Sequence, residues 1–265
     1  MSVLDEVKVG AAGQAKVIAA LMMRDMRIRN SRFAFAYFFD ALEMVGLIAF
    51  MSAIHSIISH QPPIGDSTFL FITTGIVPVM LFRAISAKSA TGVKQNRGAR
   101  ALPRVTILDN VIAKTLGEVF TFSVVSLTLL AALGVFGISK YTIPFRMEVA
   151  LECMAMVIAL GAGVGMVNSV IQPFFPLWQT IWGFVSRGQI LFAAVFAIPE
   201  YMPIYIRDLL EWNPMAHIVA KLRLGFFPMY PRHFIDNAYV WLWVAGALVC
   251  GMMAQRALRT RLAAG

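Results

Sequence analysis

Apolar residues along this chain gather into six long runs separated by short polar or proline-containing connectors. A helix that crosses a bilayer needs about 20 mostly apolar residues. The runs at about 34–58, 67–87, 109–136, 149–171, 177–198 and 238–255 approach or exceed that length. The first and third are longer than the minimum and are expected to tilt or to extend past the hydrocarbon. The pattern predicts an all-α polytopic membrane protein with six transmembrane helices in a single transmembrane domain, 1–265. Spans one to five occupy 34–198, span six is 238–255, and 256–265 is a tail.

Two stretches do not fit the spanning template. In the first, 1–33, the segment QAKVIAALMMRDMRIRNSRF places Lys16, Arg24 and Arg27 on one helical face and Ile18, Met22 and Met26 on another. That is the pattern of an amphipathic helix lying on a membrane surface, and Asp25 and Arg29 are spaced to pair along it. The second, 199–237, is too short for a core of its own. Its prolines and apolar residues predict short helices that lie in, or dip into, the interface as a re-entrant segment. Non-helical backbone at membrane depth is tolerated where protein packs around it or where it lines a cavity.

Composition agrees with the pattern. Of 265 residues, 59% are hydrophobic and 14% charged, against about half and a quarter in soluble domains. The net charge of +9 comes from 23 Lys and Arg against 14 Asp and Glu. In a soluble protein such an excess would suggest nucleic acid; here the basic residues follow the connectors. With both termini placed in the cytoplasm, the inside segments carry fourteen and the outside loops six. This bias favours inside termini, and an even number of spans agrees. No basic run interleaved with aromatics marks a nucleic-acid surface. Cys153 and Cys250 both lie within apolar segments, where cysteine behaves as a small hydrophobe. The N-terminus lacks the apolar core of a signal peptide.

Charges inside spans are costly and therefore informative. Arg83 falls near the inner end of span two, Lys114 near the inner end of span three, and Asp40 and Glu43 share a face of span one. Lys114 can snorkel or pair with Glu118 one turn on. Glu148 and Glu152 could answer Arg146 or Lys140. Arg187 is set deeper, near the middle of span five, and must face another helix, a carboxylate or a water-filled path. The same span carries Trp178, Trp182 and Phe184, and aromatic faces beside guanidinium groups suit sugar chains and anions. The basic first segment could simply anchor the chain to anionic lipid or could guide a lipid-linked anionic substrate. The connector 88–108, with Lys94, Arg97, Arg100 and Arg104, reads either as an ordinary positive-inside loop or as a short helix that docks into a cytoplasmic partner. Asp109 is placed to cap span three. The cluster GAGVGMVNS in span four has no lysine, so it is no phosphate loop, and reads as close helix packing. The four histidines show no metal spacing, and no catalytic triad can be assigned.

The order of parts resembles the type-2 ABC exporter permeases, most closely the branch that exports capsular polysaccharide and related lipid-linked glycans. Three stretches carry the resemblance: LMMRDMRIRNSRFAFAYFFDALE before and into span one, FLFITTGIVPVMLFRAIS in span two, and WNPMAHIVAKLRLGFFP before span six. In the first, Ala36, Phe39 and Met44 stand about where that family has glycine, tryptophan and proline. The resemblance implies a homodimeric permease of the bacterial inner membrane, not itself an enzyme. ATP and Mg would be handled by a separate nucleotide-binding ATPase subunit. It implies that residues 93–104, with Lys94, Arg97, Arg100 and Arg104, couple to that ATPase. Spans one and five would line the substrate path, through Tyr37, Asp40, Arg83, Trp178, Trp182, Phe184 and Arg187. Arg24, Arg27, Arg29 and Arg32 would guide the substrate inward, and Trp212, Asn213 and Pro214 would belong to an outer gate. Further implied partners are a periplasmic co-polymerase, an outer-membrane export channel, membrane lipids and a lipid-linked, anionic polysaccharide. The alternatives are a permease of the same type for O-antigen, teichoic acid or a drug, a membrane-embedded lipid-modifying enzyme, and an assembly protein that moves no substrate.

Overall fold

A computed structural model describes residues 3–32, 36–59, 61–91 and 106–257. Among the described residues the fold is all-α, with no strand. The helices are α1 (Val3–Arg32), α2 (Ala36–Ile58), α3 (Thr68–Ala90), α4 (Ile107–Val135), α5 (Met147–Ile171), α6 (Trp178–Phe192), α7 (Ile204–Glu211), α8 (Pro214–Phe226) and α9 (Asn237–Ala257), with a 3-10 turn at Pro199–Tyr201. Among these, α2, α3, α4, α5 and α9 are long and apolar enough to cross a membrane.

The bundle is built around α3, whose apolar span is 78% buried, against 17% for α2, α4 and α9. A helix apolar on every side belongs inside other helices. Glycines on α5 bring its neighbours close, as the sequence reading expects. A Cβ on Gly161 would stand 3.1 Å from Ile85 Cβ, and one on Gly165 2.5 Å from Ser89 Cβ, both on α3. Gly163 points the other way, where a Cβ would lie 2.9 Å from the main chain of Ala247 and Leu248 on α9. Alternate glycines therefore seat α5 against two helices at once. Gln255 Nε2 on α9 adds a buried 3.1 Å hydrogen bond to Ser169 Oγ on α5.

Helix starts follow local chemistry. Thr106 and Asp109 form a reciprocal capping box at the start of α4. Thr106, not Asp109, is thus the N-cap; Asp109 sits in the first turn, accepts the Thr106 N–H at 2.9 Å, and also accepts Gln14 Nε2 of α1 at 3.0 Å. Helix α1 presents Leu21 as a buried residue flanked by half-buried Ile18, Met22 and Met26, while Lys16 and Arg27 are exposed. Arg29, Arg32, Tyr37 and Asp40 lie on described helical backbone, but their side chains lie outside the described residues. Lys94, Arg97, Arg100 and Arg104 lie outside the described residues altogether.

The fifth apolar run departs from expectation. Helix α6 has 15 residues and ends at Phe192, about 22 Å of helix at 1.5 Å per residue, short of a membrane crossing. The apolar stretch AAVFAI carries the run on to Pro199, which itself disfavours helix only in the residues just before it. Arg223 of α8, fully buried, takes up the carbonyls just past the helix end: its Nη1 donates to those of Ala194 at 2.9 Å and Ala197 at 3.0 Å. Its Nη2 donates to Val195 O and, at 3.5 Å, to Phe71 O. The guanidinium lies 3.7 Å over the Phe71 ring. These bonds hold residues 193–197 as a turn in which Ala194 has φ +53, a left-handed conformation that alanine adopts at a cost. Gly75 makes room for the turn, since a Cβ there would stand 2.9 Å from both Arg223 Nη2 and Val195 Cγ1.

Within the segment 199–237, α8 is more deeply packed than a surface helix would be. Every residue from Met215 to Phe226 in α8 is buried. It carries Lys221 into the protein, where Nζ meets Glu152 Oε2 of α5 at 2.6 Å. Glu152 therefore answers Lys221, not Arg146 or Lys140, and also accepts the Trp241 indole of α9 at 3.4 Å. Lys221 is 4% exposed and Glu152 41%, so the two single variants should differ. Glu152→Ala leaves a buried ammonium without its anion and should cost about 2–3 kcal/mol, whereas Lys221→Met leaves a carboxylate that water can reach and should cost less. Chemical denaturation of both variants in detergent checks the order; equal losses would mean that packing alone is lost.

A second polar clasp joins connectors. Asp66, between α2 and α3, accepts Ser139 Oγ at 2.5 Å and the Lys140 N–H at 2.7 Å from the connector after α4. Partial burial opposes its charge, but these hydrogen bonds and the nearby Lys140 ammonium outweigh it, and the carboxyl is held below its ordinary value of 3.8. Because the folded state binds the proton less readily, the clasp stabilises fully above about pH 4 and is lost as the pH falls below that. Asp66→Asn should remove this part of the acid sensitivity, read as a flatter dependence of thermal midpoint on pH between about 5 and 3.

Candidate functional site

The C-terminal parts of α3 and α5, the N-terminal parts of α2 and α6 and the middle of α4 line a cavity of ≈ 410 Å³. Its lining is polar for a membrane protein, with Arg83, Lys88, Glu43, Glu118 and Arg187 among its residues. Arg83 lies within electrostatic reach of both Glu43 and Arg187. Lys88 Nζ holds Glu118 Oε1 at 2.6 Å, the pairing that spacing along one helix had suggested for Lys114. Lys114 instead reaches the end of α3, donating to Lys88 O at 3.2 Å and to the Thr91 hydroxyl.

Aromatic residues of α6 form part of the wall. The Trp178 indole N–H donates to Asn168 Oδ1 at 2.9 Å, and Trp182 Nε1 to Ser86 Oγ at 3.3 Å. Trp182 also meets Phe82 edge-on, with ring centroids 6.4 Å apart. Arg83, Arg187, Trp178 and Trp182 thus line the same cavity. Phe184 is not with them. It is 70% exposed and lines a second, apolar groove of ≈ 640 Å³ on the far side of Trp182, together with Phe192, Trp212, Asn213, Pro214 and Trp243. Three residues apart on a helix is not the same direction, and the α6 surface divides between Arg187 and Phe184. Trp182 borders both spaces.

The Asn213-Pro214 pair has a local explanation. Asn213 is the N-cap of α8, its Oδ1 accepting Met215 N–H at 3.1 Å, and Pro214 takes the first helical position. The Asn213 Nδ2 donates onward to Gln189 Oε1 at 2.8 Å and Phe192 O at 2.7 Å. One side chain therefore starts α8 and ties it to the end of α6. Trp212 is exposed, and its carbonyl accepts Tyr239 Oη at 2.8 Å.

Sequence reasoning passed over Arg223, Asn168 and Gln172. Arg223 looked like one more basic residue of a loop. A Gly-spaced stretch that ends in Asn168, Ser169 and Gln172 could have flagged a polar terminus on an otherwise apolar span. Among the described residues no three His, Cys, Asp or Glu side chains gather as metal ligands.

These features define a polytopic α-helical protein with a charged cavity at one end of its spans. No protein-family model matches the chain. It is similar to the polysialic acid transport protein KpsM of Escherichia coli, 23% identical over 92% of this chain and 93% of that protein. It is also similar to the capsule polysaccharide export inner-membrane protein BexB of Haemophilus influenzae, 25% identical over 83% of this chain and 82% of that one. A third relative is the capsule polysaccharide export inner-membrane protein CtrC of Neisseria meningitidis serogroup A, 24% identical over 90% of this chain and 89% of that protein.

Proposed function

We propose that this chain is the membrane-spanning permease of a capsule polysaccharide exporter in a bacterial inner membrane, with both termini cytoplasmic. The observation that carries the reading is similarity along nearly the whole chain to capsule export inner-membrane proteins. The cavity supports it: Arg187 is an exposed residue of α6, and a guanidinium in a span avoids lipid unless it faces protein or water. Arg83, Arg187, Trp178 and Trp182 would line the inner part of a path for a lipid-linked, anionic polymer, and Tyr37 and Asp40 its α2 side. Helix α6 is exposed along most of its length, with only Ser186 buried, which favours a second copy of the chain completing the path as a homodimer. With the turn after it, α6 would make the sixth crossing beside the five longer helices.

The remaining assignments extend the same reading. Helix α1 would lie on the cytoplasmic surface and guide substrate through Arg24, Arg27, Arg29 and Arg32. Residues 93–104, with Lys94, Arg97, Arg100 and Arg104, would couple to a nucleotide-binding ATPase that supplies ATP hydrolysis with Mg. Trp212, Asn213 and Pro214 would form the outer gate, and a periplasmic co-polymerase and an outer-membrane channel would receive the polymer. The test is restoration of surface capsule in a bacterium deleted for its own capsule-export permease, with affinity purification of the tagged chain in mild detergent. Restored capsule and a co-purifying phosphate-loop ATPase are expected. A well-folded chain that restores nothing and brings no ATPase would overturn the reading in favour of a lipid-modifying enzyme or an assembly protein.

A further inference from the structure

Two amides in the cavity wall each have a hydrogen bond left to make. Asn168 on α5 and Gln172, the residue that caps its C-terminus one turn on, are 2% and 5% exposed, and both line the cavity. An indole N–H can only donate, so the Trp178 contact identifies Asn168 Oδ1 as its acceptor and leaves Asn168 Nδ2 without a partner among the described residues. Gln172 Nε2 donates to Gln179 Oε1 at 2.8 Å, and Gln172 Oε1 is left without one. Arg83 Nε, across the cavity on α3, is a second donor without a partner among the described residues, and the third such atom. Most buried polar side-chain atoms are paired, so three unpaired around one cavity point to a group that binds there.

The pattern selects the chemistry of that group. Unpaired donors alone would suit an anion. An anionic oxygen has no proton to give to Gln172 Oε1, however, whereas a hydroxyl both donates and accepts. A donor and an acceptor one helical turn apart, beside an indole whose face is negative and attracts C–H edges, complement a sugar ring with neighbouring hydroxyls. We propose that Asn168, Gln172 and Trp178 form a saccharide subsite that holds one sugar residue by two neighbouring hydroxyls, and that Arg83 and Arg187 favour an acidic sugar in it. The proposal rests on reading the cavity as the polymer's path. The unpaired atoms are themselves covered, so a sugar reaches them only if side chains of the wall move, Trp178 among them. Binding therefore changes the surroundings of Trp178.

Tryptophan emission of the purified full chain, titrated with glucose, galactose, mannose and their uronic acids, tests this. A saturable change is expected, tighter for the uronic acids and absent in Trp178→Phe. Gln172→Leu should weaken all of the sugars at least tenfold. Gln172→Glu, which keeps an acceptor, should retain the neutral ones, and Arg187→Gln should bring the uronic acids down to the level of the neutral sugars. No saturable change with any of the six, or an unaltered titration in Gln172→Leu, overturns the subsite. If capsule is nonetheless restored in cells, the exporter reading stands and the subsite alone falls. If sugars bind but neither capsule nor an ATPase is recovered, the subsite stands without the exporter reading.

Discussion

Arg223→Leu is expected to destabilise the protein by more than about 3 kcal/mol, because it leaves buried carbonyls of the turn after α6 with no donor. Hydrogen bonds from a charged group to buried acceptors are worth about 1.5–3 kcal/mol each, and unpaired acceptors cost on the same scale. Arg223 makes four such contacts, to Phe71, Ala194, Val195 and Ala197. The individual losses will not add, since the turn can rearrange. Arg223→Lys should recover only part of the loss: an ammonium keeps the charge but lacks the planar fork that spans several carbonyls. The measurement is denaturant unfolding in detergent of the wild type and both variants. Lysine behaving like arginine would mean that charge alone is needed. A leucine variant as stable as wild type would mean that the carbonyls find other donors. Because the same turn lies at the end of α6, the proposed function predicts that capsule restoration falls in Arg223→Lys even where the protein folds.

Gly163→Val should be the next most damaging change. A Cβ at this position would lie 2.9 Å from main-chain atoms of Ala247 and Leu248, and main chain cannot rotate away as a side chain can. Overpacking of a close interface costs about 1–3 kcal/mol, and the upper end applies where backbone opposes backbone. The substitution should part α5 from α9 and weaken the buried Gln255–Ser169 hydrogen bond between them. Gly183→Val is the matched control, because a Cβ on Gly183 meets nothing within 4 Å. Thermal unfolding of the two variants checks the contrast. Equal midpoints would show that the helices separate without penalty.

Five of the six apolar runs became helices within a few residues of their expected bounds, and the sixth helix stopped short. The difference between success and failure lies in the range of the forces. A long apolar run can satisfy its backbone only as a helix in a membrane, whatever its neighbours are. The glycines of span four were legible for a similar reason: a span of small residues has one common use, close packing. The end of α6 was not legible, because Arg223 is thirty-one residues beyond Phe192 and no local rule connects them. The partners of Glu118 and Glu152 were missed in the same way. Each had an acceptable neighbour in sequence, and the fold supplied a nearer one on another helix.

The candidate site divides along the same line. Hydrophobic period and charge cost singled out Arg83, Arg187, Trp178 and Trp182, because an arginine in an apolar run is conspicuous on its own. That Phe184 faces a separate groove, and that Asn168 and Gln172 keep unpaired atoms beside Trp178, depends on how α5 and α6 are rotated about their axes. Sequence alone determined the membrane class and the helical fold, and marked the charged residues that the spans carry, since these follow from the solvent that each segment must enter. Tertiary structure decided where α6 breaks, which charges pair and which polar atoms remain free, since hydrogen bonds and ion pairs act over a few ångströms and join residues far apart in the chain.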